Sequence, residues 1–233
     1  MLVKYDLHVH SALSPCADDD MTPANIVGLA ALNGLNMVAI ADHNAIANVQ
    51  VAVDIGNAYG VTVVPAMELQ TAEDVHVLCL FKTVEDLDEF YQQIPFLPLE
   101  NNAEIFGNQL IMDEDDNVIA TESRLLLVAS GVSVDQLPAL CDRYGGVAVA
   151  AHIDREENGM VQILGSVTDG YAVVEYSSHA TSLFRSHYSQ YSYVVNSDAH
   201  TLGDIGKAGA AIELQHNSAE CLIETLKASS KVL

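Results

Sequence analysis

Positive charge is scarce in this chain of 233 residues: nine lysines and arginines stand against thirty-two aspartates and glutamates, a formal net charge of −23 at neutral pH. So acidic a surface repels polyanions, which argues against a long nucleic acid as partner. Cysteine is also sparse. Cys16, Cys79, Cys141 and Cys221 form no CxxC pair, and Cys79 lies in an apolar run, which reads as a reduced intracellular thiol. No basic segment precedes an apolar one at the start, and no apolar run is long enough to span a bilayer, so the expectation is a cytoplasmic protein without a membrane partner. Internal repeats and low-complexity linkers are missing as well. Half of the residues are apolar, enough for one α/β domain over residues 1–233. Nothing here sets the oligomeric state.

What the chain does have is histidine in telling places. Four segments follow one another: Asp6-Leu7-His8-Val9-His10, Ala41-Asp42-His43-Asn44, Ala151-His152-Ile153-Asp154 and Ser197-Asp198-Ala199-His200. The apolar runs 36–40, 147–151 and 193–196 read as short buried strands, so these histidines fall where parallel strands end, the edge at which α/β barrels and open sheets build their sites. A further run, 61–66, leads to Glu68, and His76 opens another that extends to Phe81. His8 and His10 are two apart and share a face of their strand. Asp198 and His200 are expected to repeat that geometry. A lone buried histidine is more often a hydrogen-bonded core residue. Eight imidazoles and carboxylates at strand ends, without thiolates, instead suit zinc, manganese or iron, and exceed what one tetrahedral ion needs. A cluster of two or three divalent metals follows.

Taken in order, Asp-Leu-His-Val-His-Ser, Asp-His, the later Glu and His, Ala-His-Ile-Asp-Arg and Ser-Asp-Ala-His resemble the PHP (polymerase and histidinol phosphatase) family over about residues 1–82 and 145–207. The resemblance implies a distorted seven-stranded (β/α) barrel of TIM-like type, a trinuclear site at the C-terminal edge of the strands, and hydrolysis of phosphoesters. By motif, His8, His10, Glu68 and Asp198 would hold one metal, and Glu68 would bridge to a second held by His76 and His152. His43 and His200 would hold the third. A further ligand is expected shortly after the first motif, and Asp18 or Asp20 is the residue in reach. These aspartates also read as an acidic run before a helix starting near Thr22-Pro23. Cys16, beside so many nitrogen and oxygen donors, is not expected among the ligands.

The chemistry is consistent with that family. Water bridging two dications loses a proton near neutral pH, and the resulting hydroxide can displace an alkoxide from phosphorus. Asp198 is expected at the reaction centre, Arg155 as a bidentate phosphate anchor with Arg185 as second choice, and His179 as acid for the leaving group, although each also reads as an ordinary surface or loop residue. Asp6, Asp42 and Asp154 are expected to orient ligand imidazoles, or to act as turn caps. With so few cations, a small phosphorylated substrate such as a nucleotide or sugar phosphate is the expected partner. Oligonucleotide ends are the alternative, as is a module whose metals serve stability alone.

Helices are expected over 23–33, 48–59, 86–93, 133–144 and 218–228, alternating with the strands. Residues 94–130 break the alternation and read as an insertion, with a β-hairpin of Phe106–Met112 and Val118–Ala120 around an acidic turn, placed to cover the site and set substrate choice.

Overall fold

A computed structural model describes residues 1–229 of the chain. In order the elements are β1 (Leu2–Val9), α1 (Pro23–Leu32), β2 (Met37–Ile40), α2 (Val49–Tyr59), β3 (Thr62–Gln70), β4 (His76–Leu80), α3 (Val84–Tyr91), α4 (Ala103–Phe106), β5 (Leu110–Met112), β6 (Val118–Thr121), α5 (Leu137–Arg143), β7 (Val147–Ala150), α6 (Met160–Leu164), β8 (Val173–Ser177), α7 (Ser182–His187), β9 (Ser192–Asn196), β10 (Ala210–Glu213) and α8 (Ala219–Ser229). Local chemistry explains several boundaries. The Thr22 hydroxyl accepts from the Asn25 amide and Pro23 opens α1, while α2 ends at Gly60, whose φ of 72° suits glycine. The Ser218 hydroxyl accepts from the Cys221 amide and starts α8. The helix expected from Ser133 begins only at Leu137, where Pro138 sits in the first turn.

The main sheet runs β10-β1-β2-β3-β4-β7-β8-β9. Its far edge returns to β1. Val9 bridges Ala199 in parallel fashion, the His10 amide donates to the Ala199 carbonyl at 2.9 Å, and the Val195 amide donates to the Tyr5 hydroxyl at 3.3 Å. The result is a nearly closed α/β barrel. Eight strands rather than seven take part, the added one being β10, antiparallel to β1. A second departure concerns β4, which is antiparallel to both β3 and β7. Because it runs backwards, its first residue, His76, lies at the edge where its parallel neighbours end.

Side chains alternate between the barrel interior and the outer layer. Tyr5 and Leu7, Met37 and Ala39, Val64 and Ala66, Leu78 and Leu80, Val149, Val173 and Val194 form one buried cluster inside, joined by Leu222, Ile223 and Leu226 of α8. Continuing the inward parity toward the open edge gives Glu68 on β3 and Glu175 on β8. On β1 the parity should place Val9 inside. A register shift between Asp6 and Val9 in the pairing with β2 changes that, and Val9 packs outside with Ile26, Val27 and Ile40 while His8 and His10 enter the site. Such irregularities at barrel rims re-aim side chains.

The insertion forms the separate β5–β6 hairpin with α4 before it. Phe106 ends α4 instead of opening the hairpin. The insertion is stitched to the site loops: buried Asn48 donates to the Leu110 carbonyl and accepts from the Met112 amide, and Asn44 donates to the carbonyls of Leu126 and Val128. Among the described residues no helix is long and apolar enough to cross a membrane.

Candidate metal centre

At the open end of the barrel five imidazoles converge on one carboxylate. Nitrogens of His8, His10, His43, His76 and His152 lie 3.3, 3.5, 2.9, 3.0 and 3.1 Å from oxygens of Glu68. Glu68 is 1% exposed. Asp198 stands opposite, 3.0 Å from His10 and 3.5 Å from His8. His200 completes the ring of bases, its ring centroid 4.2 Å from that of His10. Three sets of donor atoms are mutually within 4.8 Å: His8, His10 and Asp198; His43, Glu68 and His76; His10, His43 and His200.

Protons alone satisfy this arrangement poorly. His8 Nε2, His43 Nδ1, His152 Nδ1 and Glu68 Oε2 are buried without a hydrogen-bond partner, a costly state for polar atoms. Burial disfavours every charge here, yet Glu175, Asp198 and Glu68 carry His8 well above the ordinary histidine range, and Glu68 carries His43 up to about 10. His10 goes the other way, held well below by burial and by His200 and His43, and burial lowers His76. Both carboxylates overcome their own burial: His76, His8 and His43 hold Glu68 well below its ordinary value, and His8 and His10 do so for Asp198. Ionised carboxylates facing imidazoles that can give up their ring protons to a metal form a donor set that fits divalent cations.

The surroundings orient His8 and His10 through their Nδ1 atoms. His8 Nδ1 donates to Glu175, 3.0 Å from each oxygen, which directs Nε2 toward the cluster. Glu175 also accepts from the His152 amide at 3.1 Å and from the Asn196 side chain at 3.1 Å. His10 Nδ1 donates to the Ser14 hydroxyl at 3.0 Å; that hydroxyl donates to Asp42 at 2.7 Å and accepts from the His43 amide at 3.1 Å. Sequence reasoning passed over Glu175. The signal was present, since a lone carboxylate inside the buried strand Val173–Ser177 has to be paired.

Other expected residues fall elsewhere. Asp18 and Asp20 are exposed and belong to no cluster among the described residues. The loop turns tightly, with the Ser14 and Ala17 amides bonded back to the Ser11 and Ser14 carbonyls, and carries Cys16 just ahead of the acidic run. Part-desolvation opposes ionisation of its thiol, but hydrogen bonds with His200 and His43 outweigh it and bring the thiol down to about 7. Asp6, Asp42 and Asp154 do not touch the imidazoles. Asp6 accepts from the Ser197 amide and hydroxyl and the Gly206 amide, and Asp154 from the Ser177 amide and hydroxyl, so both tie loops; only Asp42 reaches a ligand, through Ser14. Asp198 and His200 lie in the loop beyond β9 rather than on a strand, and Asp198 adopts a left-handed φ of 52°. Asn44 and His152 share that region, at 48° and 27°, so backbone strain gathers around the cluster.

Beside Asp198 opens a cavity of about 560 Å³ lined by Arg155, Ser178, His179, Ser197, Asp204 and Lys207. Arg155 pairs with Asp198, and His179 sits exposed on the rim. Arg185 is directed elsewhere, over the ring of Tyr176.

Fold and site together define an α/β-barrel protein with histidine–carboxylate clusters able to bind metal. The chain belongs to the PHP domain family, whose pattern it matches over residues 6–231. A 5′-3′ exoribonuclease of Haemophilus influenzae is 31% identical over 83 residues, 34% of this chain and 29% of that protein. The structure resembles the lesion-specific endonuclease Q of Pyrococcus furiosus with a TM-score of 0.68 at 20% identity, covering 100% of this chain. An endonuclease Q bound to a 27-mer duplex with an abasic lesion gives 0.69 at 19%, covering 98%. The chain spans 57% of each of these endonuclease chains. These likenesses overturn the expectation that net charge excludes long nucleic acid, since a fold of this type holds a duplex in endonuclease Q. Whole-molecule charge was the wrong measure. Cluster carboxylates are counted in it although bound cations would neutralise them, and approach to a site follows the local field.

Proposed function

We propose that the protein is a metal-dependent phosphoesterase that hydrolyses phosphodiester bonds of nucleic acid, taking a strand end into the cavity beside Asp198. The observation that carries this is the convergence of five imidazoles on Glu68 next to a cavity lined by Arg155 and His179. Two or three divalent ions, zinc, manganese or iron, would be held by His8, His10, His43, Glu68, His76, His152, Asp198 and His200. When bound they would supply a water acidified toward neutral pH and would neutralise the phosphoryl oxygens.

The chain's own groups do the rest. Glu68 and Asp198 stay ionised and keep the ligands in place. Arg155 has its guanidinium 41% exposed beside Asp198 and can turn free N–H donors to a phosphate entering the cavity. His179, on the rim, gives a proton to the departing oxygen. A cavity of about 560 Å³ takes a ligand of roughly nucleotide size, so duplex beyond the end would stay outside. Its size also favours a second reading, in which a free nucleotide or sugar phosphate is the substrate.

Protein reconstituted with manganese or zinc is expected to cleave bis(p-nitrophenyl) phosphate and to shorten an end-labelled oligonucleotide. His8→Ala and Asp198→Ala should lower both rates by at least about 100-fold, as loss of a charge-stabilising group does. Cleavage of mononucleotides only would favour the second reading, and full activity in either variant would refute the metal mechanism.

A further inference from the structure

Residues 176–197 contain no aspartate or glutamate, yet they hold four of the nine tyrosines and one of the five phenylalanines, together with Arg185. They form the end of β8, α7 and β9, and both ends of the stretch reach the site: Ser178 and His179 at one, Ser197 at the other, line the cavity beside Asp198. On β9, Val194 is wholly buried in the barrel interior, whereas the outward side is open, with Tyr193 57% exposed. Arg185 stands beside that ring. Its guanidinium carbon lies 5.2 Å from the ring centre of Tyr176 and 6.0 Å from that of Tyr193, and the two rings are 5.5 Å apart. Lys82, Arg155, Lys207 and Lys227 all pair with carboxylates. Arg185 does not: it makes no ion pair among the described residues, and its Nε is buried without a hydrogen-bond partner. Asp154, which lies near Tyr176, is occupied by the Ser177 amide and hydroxyl. An acidic chain thus keeps one cation free of acids, over an exposed tyrosine and next to a cavity.

Resting on the reading that the substrate is nucleic acid, we propose that Tyr193 and Arg185 form a stacking platform for the unpaired bases of a single strand whose end occupies the cavity. An exposed ring offers a face to any base, and the guanidinium beside it attracts the phosphate between bases. Tyr193 lies four residues ahead of Ser197, about 13 Å of extended chain, so a strand leaving the cavity meets the ring within a few nucleotides. Duplex does not suit the platform, because its bases are stacked on one another, and a free nucleotide held in the cavity is too short to reach it. The platform therefore selects single strands, and selects them by their bases as well as by their charge.

The test is equilibrium binding, read by fluorescence anisotropy with manganese-loaded protein. Two labelled single strands of about eight nucleotides are compared, one bearing bases and one abasic, both phosphorothioate-linked to resist hydrolysis. The base-bearing strand is expected to bind at least about 5-fold more tightly, the lower end of what one stacked base contributes. Tyr193→Ala should erase that difference, whereas Tyr193→Phe, which keeps the ring, should retain it, with unfolding midpoints measured alongside. Equal affinity for the two strands, no binding of either, a difference that survives Tyr193→Ala, or one lost equally in Tyr193→Phe would each overturn the platform. Cleavage is scored separately on an end-labelled phosphodiester strand. Cleavage without a base-dependent difference in binding removes the platform and leaves the nuclease reading, while that difference without cleavage removes the nuclease reading and leaves the platform.

Discussion

Glu175 shows how one side chain can govern a site without joining it. Its carboxylate holds His8 Nδ1, the His152 amide and the Asn196 side chain, so three segments of the site share one acid. Glu175→Gln keeps the shape but can present only one oxygen to those donors. Partners that orient ligand histidines typically account for 10- to 100-fold in metal affinity. The variant is expected to fold normally and to release zinc to a chelator at roughly 10-fold lower competitor concentration; unchanged affinity would show that His8 is oriented without it. At this scale the histidines were legible because their residue type is rare and their spacing fits strands. The aspartates after the first motif were less legible for a physical reason: three consecutive acids cannot reveal from spacing which way a loop turns, and the hydrogen bonds of Ser14 and Ala17 set that turn.

Between elements, the insertion acts as a brace. Buried Asn48, ahead of α2, donates to the Ser11 hydroxyl at 2.9 Å and the Leu110 carbonyl at 3.0 Å, and accepts from the Met112 amide at 3.0 Å. It ties the loop of the first motif to the hairpin in a site without water access. Asn48→Ala leaves at least two buried groups unpaired, at about 1 to 3 kcal/mol each. Chemical denaturation should show a loss of about 2 to 4 kcal/mol, and limited proteolysis should open residues 110–121 first. Loss of stability without that local cleavage would mean that the hairpin is held by its other contacts. The hairpin itself was legible, because its acidic turn separates two apolar runs. Its docking was not, since the bonds to Asn44 and Asn48 join positions more than sixty residues apart. The same holds for β4: its apolar run announced a strand, but its direction depends on its partners β3 and β7.

For the whole molecule the critical step is closure of the barrel, and Tyr5 stands at the seam. It is 5% exposed and its hydroxyl accepts from the Val195 amide of β9. Burial raises its phenol from 10.0 to about 12, against the opposing effect of the Val195 hydrogen bond. The unfolded chain ionises this group near pH 10 while the folded protein keeps it protonated to about pH 12. The folded state therefore binds the extra proton between those values, and stability falls as pH rises through that window, by at most about 2 to 3 kcal/mol. Tyr5→Phe should cost about 1 kcal/mol at neutral pH and make the loss of stability above pH 10 less steep, as read from urea titrations across that range. An unaltered alkaline slope would mean that Tyr5 is not kept protonated by the fold. Taken alone, the sequence determined the donor types, their order along the chain and the alternation of strands and helices, because these depend on residue chemistry and on spacing within an element. Tertiary structure decided the convergence: which residue faces inward after the register shift in β1, and that Glu175 supports His8. Those outcomes depend on contacts between segments as much as 190 residues apart, fixed only when β9 returns to β1.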